Sequence, residues 1–348
     1  MAKARGFTLV EVMVAMVIGM IGIIIMMQVF ASAEGQKRTT TGTGDAQSNG
    51  AMAIYTLQRD IREAGYGFNA LNALGCALVL PSRTLTQLAP VIINPQTAAS
   101  VLEVPAGDAN TDTLLVAYGN GGGAPEGEVI TAINGIQLAV QTPGNFHKAV
   151  DGGPPADQVV AAPSAPLPGC SLTLAPVSDV EAPNVFVSGS GAVEGGTLFN
   201  LGNNPRILAY AIRAGNLTVC DYRQDDCGAA CTALDPPTCS AAWVPIANNI
   251  VSLRAQYGHA TTPTTWDQAT PQQPTPPDQE KFACRWARAS ALRIAVVARN
   301  SQVDKDPVTA PALPAWAEIV LSASNYRYKV FETVVPLRNL SWMAPCTP

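Results

Sequence analysis

One apolar stretch near the N-terminus limits what this chain can be. Residues 7–33 carry a single ionisable side chain, Glu11, and they follow Lys3 and Arg5 closely. The stretch is longer than the roughly 20 residues that a helix needs to cross a bilayer, and longer than the apolar region of a cleaved secretory signal. The positive-inside bias keeps the two basic residues in the cytoplasm. We therefore expect a retained transmembrane helix, with the rest of the chain on the far side of the membrane.

Glu11 needs an explanation, because a carboxylate in a membrane helix is unfavourable by roughly 2.5–3.5 kcal/mol at the bilayer centre and by less near the interface. A position at the headgroup level, close to the positive end of the helix macrodipole, is one explanation. The residues alone leave open whether the carboxylate also has a functional partner.

Residues 6–15, GFTLVEVMVA, resemble the class III signal of type IV pilins and type II secretion pseudopilins. The resemblance implies that a prepilin peptidase cleaves after Gly6 and that the new terminal residue, Phe7, is N-methylated. It also implies that Glu11 meets the terminal amine of a neighbouring subunit during filament assembly. Such a partner would neutralise a carboxylate that is otherwise unfavourable in a bundle of apolar helices.

The helix is expected to continue beyond the membrane over residues 34–65. Ile54, Leu57 and Ile61 recur at helical spacing, and Gly65 is a plausible C-terminal stop. Residues 39–44 are polar, and the sequence leaves open whether the helix is interrupted there.

The end of this predicted helix resembles one particular group of pilin-like proteins. Residues 57–68, LQRDIREAGYGF, are similar to the helix end of PilW-type minor pilins. Apolar and β-branched segments further on predict strands, and their order also resembles the PilW arrangement. The predicted strands lie at residues 113–119, 207–220, 250–258, 292–300 and 326–340. Long Pro- and Gly-rich surface loops are predicted at residues 119–127, 152–169 and 261–278.

The predicted fold is therefore α+β and pilin-like: a long N-terminal helical spine, transmembrane in its first half, packed on an antiparallel β-sheet head with long loops. We expect a leader peptide at residues 1–6, a transmembrane and assembly helix at 7–33 and its amphipathic continuation at 34–65. The extracytoplasmic head then takes residues 66–348, with an inserted β-subdomain over about residues 76–202.

Eight cysteines all lie beyond the apolar stretch, as expected for a head that folds in an oxidising compartment. At least one disulfide is expected within residues 220–239, where four cysteines cluster. A zinc site is the alternative there, but no CxxC pair is present, so disulfides are favoured and no metal is expected. The candidate disulfide residues are Cys76, Cys170, Cys220, Cys227, Cys231, Cys239, Cys284 and Cys346.

Signatures of catalysis are missing from the sequence. The acidic residues 221–226 lack the spacing of a calcium-binding EF-hand loop, and His147 and His259 are predicted to be loop residues. HExxH, GxSxG and P-loop motifs do not occur. We expect no enzyme, no catalytic residue and no cofactor. A net charge of -5 with scattered basic residues also argues against nucleic acid as the main ligand.

The resemblance predicts a minor pilin that initiates assembly of a type IV pilus near its tip and supports motility or adhesion. Its partners would be other minor and major pilins, the prepilin peptidase, the inner-membrane assembly platform and a tip adhesin. The chain would first lie in the bacterial inner membrane with its head in the periplasm, and then in an extracellular pilus. One alternative is a minor pseudopilin of a type II secretion system. Another is a periplasmic binding protein or enzyme tethered by its N-terminal helix.

Overall fold

The computed structural model describes residues 8–81, 83–95, 103–228, 242–259, 265–304, 307–321 and 325–340, without the side chains of residues 38 and 39. One helix, α1 (Leu9–Glu63), runs through both the apolar segment and its polar continuation. Its 55 residues form a rod of about 83 Å at 1.5 Å per residue. The sequence left a break at residues 39–44 open, but the helix is continuous there, and Gly42 packs against the side chain of Asn300.

The C-terminal end of α1 lies where the sequence indicates it. Gly65 has a φ of +84°, a backbone conformation that glycine adopts without steric cost. Its backbone N–H donates to the carbonyl of Ala117 at 2.9 Å. The side-chain amide of Asn339 donates to the carbonyls of Glu63 and Ala64, both at 3.1 Å. The last helical carbonyls are therefore tied to the head.

The described residues contain a second helix, α2 (Gln279–Ala287), and nineteen strands. The strands in chain order are β1 (Ala77–Val79), β2 (Thr84–Leu85), β3 (Val91–Ile93), β4 (Leu114–Tyr118), β5 (Glu128–Val129), β6 (Ala132–Asn134), β7 (Gln137–Ala139), β8 (Gln158–Ala162), β9 (Ser171–Thr173), β10 (Ala175–Glu181), β11 (Asn184–Val187), β12 (Thr197–Asn200), β13 (Arg206–Arg213), β14 (Asn216–Asp221), β15 (Val244–Ala247), β16 (Ile250–His259), β17 (Thr265–Asp267), β18 (Ala289–Arg299) and β19 (Tyr328–Pro336).

A four-stranded antiparallel sheet in the order β17-β16-β18-β19 packs along the second half of α1. Alternate residues of β18, such as Leu292 and Ile294, face the helix and belong to the main core. The intervening Ala295 and Val297 face away and pack under the segment that contains Ala317. The sheet is therefore covered on both faces, on one by α1 and on the other by a loop.

Small residues let α1 approach this sheet closely. The buried positions of its second half follow helical spacing and are Gly42, Ala46, Gly50, Ala53, Leu57, Asp60 and Ile61. A Cβ atom at residue 50 would overlap the ring of Phe331 on β19, so this ring packs directly on the backbone of the helix. The sequence pattern of this face is thus set by the distance to the sheet as well as by hydrophobicity.

A five-stranded antiparallel sheet, β15-β14-β13-β4-β3, lies beside the C-terminal end of α1 and shares its core. The sequence predicts one strand over residues 207–220, and this was wrong. Ala214 and Gly215 have φ values of 49° and 70° and turn the chain, so β13 and β14 form a hairpin. Two consecutive residues with positive φ are typical of a tight two-residue hairpin turn.

Residues 76–202 contribute to three sheets. β3 and β4 join the five-stranded sheet, whereas β1, β2 and β9 form a small sheet of their own. The remaining strands form a seven-stranded antiparallel sheet, β5-β12-β8-β10-β11-β7-β6, with a separate hydrophobic core that includes Leu138, Val159 and Val185. The predicted loop at residues 152–169 was wrong in part, because β8 lies within it.

The predicted loop at residues 261–278 was also wrong in part, because β17 lies within it, and α2 follows directly. Asp278 caps α2 by accepting from the backbone N–H of Lys281 at 3.0 Å. Phe282 and Trp286 lie one turn apart and are buried. The chain is thus α+β, with one long N-terminal helix and mostly antiparallel sheets, which confirms the predicted fold class.

Candidate functional site: the exposed apolar helix and its attachment to the head

The first half of α1 exposes its apolar side chains on all sides. Leu9, Ile18, Ile24 and Phe30 are between 57% and 76% exposed. Helix α1 is long and apolar enough to cross a membrane by length and composition. A helix that is hydrophobic all round requires an apolar environment, which a bilayer or a bundle of similar helices supplies.

Glu11 and Thr8 form a reciprocal cap at the start of this helix. The hydroxyl oxygen of Thr8 accepts from the backbone N–H of Glu11 at 3.3 Å. A carboxylate oxygen of Glu11 accepts from the backbone N–H of Thr8 at 3.3 Å and from its hydroxyl at 3.4 Å. This capping box satisfies backbone donors that the first helical turn leaves unpaired. In a single chain, the Glu11 carboxylate therefore has local partners.

The structure places only part of the predicted processing and assembly site. Glu11 lies in the first turn of α1. Gly6 and Phe7 lie outside the described residues. Gly19 and Gly22 lie within the continuous helix, and a Cβ atom at either would meet nothing within 4 Å. Both glycines thus lie on open helix surface, where another helix has room to approach closely.

A buried carboxylate attaches α1 to the five-stranded sheet, and sequence reasoning missed it. Asp60 is fully buried and accepts from the hydroxyls of Tyr118 on β4, at 3.0 Å, and Tyr210 on β13. Arg59 donates to Asp60 at 2.9 Å while its own side chain is 59% exposed. The available signal is an aspartate between Leu57 and Ile61 on the buried face of the helix.

Burial and charge in this cluster shift the pKa values of the side chains around Asp60. Desolvation, then the charge of Asp60 and the hydrogen bond to it, raises the pKa of Tyr118 and that of Tyr210 above the ordinary value of 10.0. The hydrogen bond to Asp60 and its negative charge raise the pKa of Arg59. The tyrosines therefore stay protonated as hydrogen-bond donors, and Asp60 joins helix and sheet.

Two disulfides stabilise the head. Cys76, which follows the end of α1, is bonded to Cys170 at the start of β9, and Cys220 is bonded to Cys227. Cys284 on α2 is also disulfide-bonded. The other three candidate cysteines, Cys231, Cys239 and Cys346, lie outside the described residues. Disulfide bonding is thus a feature of this head.

The acidic and histidine residues considered as ligands have other partners. Asp221 pairs with Arg206 at 3.1 Å, and Asp226 pairs with Arg83 at 3.2 Å. Within the described part of the chain, no group of three His, Cys, Asp or Glu side chains is placed to hold a metal ion.

Both histidines pair with aspartates. His147 lies 3.1 Å from Asp157, and His259 lies 3.2 Å from Asp267. The loop prediction was wrong for His259, which is the last residue of β16.

A single helix that exposes an apolar half and packs its other half on an antiparallel sheet is the architecture of type IV pilin-like proteins. Residues 1–27 match the prokaryotic N-terminal methylation motif. Residues 230–339 match the family described as type IV pilus-assembly protein W, PilW. No curated protein and no solved structure matches the chain significantly. Over these two regions the chain is similar to type IV pilus-related, minor pilin-like proteins.

One match falls on the start of α1, and the other falls on the four-stranded sheet that packs against this helix. The methylation motif covers the start of α1, and the PilW match covers β15 to β19 together with α2. The seven-stranded sheet lies outside both matches. So do residues 57–68 and the β13–β14 hairpin, which resembled PilW in the sequence.

Proposed function

We propose that this protein is a minor pilin that initiates assembly of a type IV pilus and lies near its tip. One observation carries the proposal: a continuous helix joins an exposed apolar half, suited to stacking against similar helices, to a sheet of the PilW type. Pilin-type proteins generally associate with other pilins and with the assembly machinery. A structural rather than a catalytic role follows from the same relationship.

The position near the tip is supported by where the extra sheet joins the head. The chain enters the seven-stranded region after Tyr118 and returns before Arg206. Gly119 donates to the carbonyl of Tyr66 at 2.8 Å, and Gly67 packs against Leu201. The insertion therefore starts and ends beside the membrane-distal end of α1. Extra volume there is difficult to repeat at every position of a helical filament, whereas the end of a filament has room for it.

We also propose that the chain is processed, held in the membrane and transferred into the pilus as other pilins are. The prepilin peptidase cleaves after Gly6, and Phe7 is methylated. The helix then holds the protein in the inner membrane with the head, including the inserted subdomain within residues 76–202, in the periplasm. The assembly platform transfers it, with other minor and major pilins, into an extracellular pilus. A tip adhesin is a further partner, and motility or adhesion is the outcome.

A series of variants at the helix start separates the two roles of Glu11. Glu11→Gln keeps a side chain able to cap the helix but removes its charge, whereas Thr8→Ala removes the cap and keeps the charge. If the carboxylate pairs with the terminal amine of a neighbour, Glu11→Gln inserts into the membrane but is lost from sheared pili. Thr8→Ala is then incorporated nearly normally. The reverse pattern would show that capping is the whole role of Glu11.

Deletion of the gene tests the pilus itself. We expect fewer pili per cell by electron microscopy, restored by the wild-type chain, and unchanged secretion of proteins through the type II system. Normal pilus number with impaired secretion would replace the proposal with the pseudopilin alternative.

A further inference from the structure

The direction of the membrane-distal end can be read from contacts along α1. Asn300 packs against Gly42, Phe331 against Gly50, and Asn339 against the end of the helix. The sheet therefore runs beside α1 from the end of β18 and the start of β19 towards Pro336. Since α1 begins in the membrane, the sheet end that holds Pro336 is the distal one. His259 and the start of β18 lie at the same end.

A cleft of about 430 Å³ opens at this distal end. We call it the distal cleft; its polar lining comes from His259 on β16, Asp267 on β17, Thr270 and Gln272 in the following loop, and Arg285 and Arg288 at the end of α2. Arg285 donates to the carbonyl of Gln272 at 2.9 Å, which ties the loop to the helix. The cleft is therefore built by β16, β17, the following loop and α2, in which β16 pairs with β17 and the loop is tied to α2.

The side chains that line the distal cleft carry an excess of positive charge. Asp267 pairs with His259 at 3.2 Å. Arg285 and Arg288 are both exposed, lie three residues apart on α2 and form no ion pair within the described residues. Two guanidinium groups thus face solvent at the rim of a concave site, in a chain whose net charge is -5. Such a site attracts an anion.

We propose that the distal cleft binds a carboxylate of a partner protein, either an acidic side chain or a C-terminal carboxylate. The guanidinium fork matches a carboxylate in two parallel hydrogen bonds, and Arg is enriched where proteins recognise this group. Pro271 and Ala269 supply an apolar wall for the stem of the acidic residue. A nucleic acid would need a stripe of basic residues along the phosphates, rather than two arginines at one cleft.

The inference rests on the proposed function for the identity of the partner. A subunit near the tip presents its distal end to whatever caps the filament, so the carboxylate would belong to a tip partner. The binding chemistry, in contrast, is independent of that role and can be measured on the purified chain.

The experiment uses the full-length protein in detergent micelles and a fluorescein-labelled oligoglutamate peptide, with oligoglutamine as the uncharged probe. The variant Arg285→Gln with Arg288→Gln is compared with a control, Arg62→Gln with Lys329→Gln, which removes the same charge from exposed positions elsewhere. Fluorescence anisotropy should show oligoglutamate binding that weakens on the order of tenfold in the first variant. The control should stay within about twofold of wild type.

Three results would overturn the proposal: absence of oligoglutamate binding, equal loss in both double variants, or tighter binding of a short DNA strand through the same arginines. If the double variant does not fold, Arg288→Gln alone takes its place, because the Arg288 guanidinium has no partner in the described structure. Normal pilus number after gene deletion would instead refute the pilus role while leaving the binding result standing.

Discussion

The close approach of α1 to the sheet gives a sharp prediction at two helical glycines. Gly44 and Gly50 lie six residues apart in the same helix, but their surroundings differ. A Cβ atom at residue 44 would meet nothing within 4 Å, whereas one at residue 50 would overlap the ring of Phe331. Substitution by alanine therefore tests helix propensity at residue 44 and packing against Phe331 at residue 50.

The expected sizes follow from these surroundings. Gly44→Ala should raise the free energy of unfolding by about 0.5–1 kcal/mol, because glycine in a helix interior is unfavourable by that amount. Gly50→Ala gains the same propensity but must displace the Phe331 ring, and overpacking typically costs about 1–3 kcal/mol. The net result is a loss of about 0–2 kcal/mol at residue 50. The two variants should thus differ by about 1–3 kcal/mol.

Urea unfolding of the detergent-solubilised chain, followed by tryptophan fluorescence, measures this difference. All five tryptophans lie beyond residue 240, so the signal reports on the head. Phe331→Leu provides an internal control: combined with Gly50→Ala it should relieve part of the loss, as a double-mutant cycle would show. Equal stabilisation by Gly44→Ala and Gly50→Ala would refute the close packing of helix and sheet.

The remaining predictions concern the buried carboxylate and the disulfides. Asp60→Ala should lower the free energy of unfolding by about 3 kcal/mol in the same urea assay, because two tyrosine hydroxyls lose their acceptor. Unfolded tyrosines ionise at lower pH than the buried Tyr118 and Tyr210, whose pKa values are raised, so stability should fall as pH rises above 10.0. Ultraviolet titration should place Tyr118 and Tyr210 among the late-ionising tyrosines, and Asp60→Ala should lower their pKa values, because the Asp60 charge adds to the effect of burial. Alkylation of the unreduced protein, followed by peptide mapping, should leave Cys76 and Cys170 unlabelled.

The sequence was most informative where local pattern decides structure. Helix α1 was predictable from its apolar run, from the spacing of Leu57 and Ile61, and from Gly65 as its stop. The main strands at the helix were also recognisable, since β16, β18 and β19 are long and contain apolar and β-branched residues. The sequence left open whether the helix breaks at residues 39–44. It is continuous because contact with the sheet supports a segment whose own helix propensity is weak.

Other features depend on neighbours that are distant in sequence. Strands as short as β8 and β17 lie among proline and glycine residues, and only their pairing partners make them strands. In the sequence, Asp60 places a charge on the apolar face of a helix. Only the fold shows that Tyr118 and Tyr210 donate hydrogen bonds to it. The distal cleft likewise joins residues from β16 to α2, which no local motif connects.

Mass spectrometry of purified sheared pili measures both the processing of this chain and its abundance in the filament. We predict that the chain is present with N-methylated Phe7 as its first residue, and that it is far less abundant than the major subunit. An intact Met1 terminus on the filament-associated chain would contradict processing at Gly6. Absence from the pili, or an abundance equal to that of the major subunit, would contradict the assignment as a minor pilin.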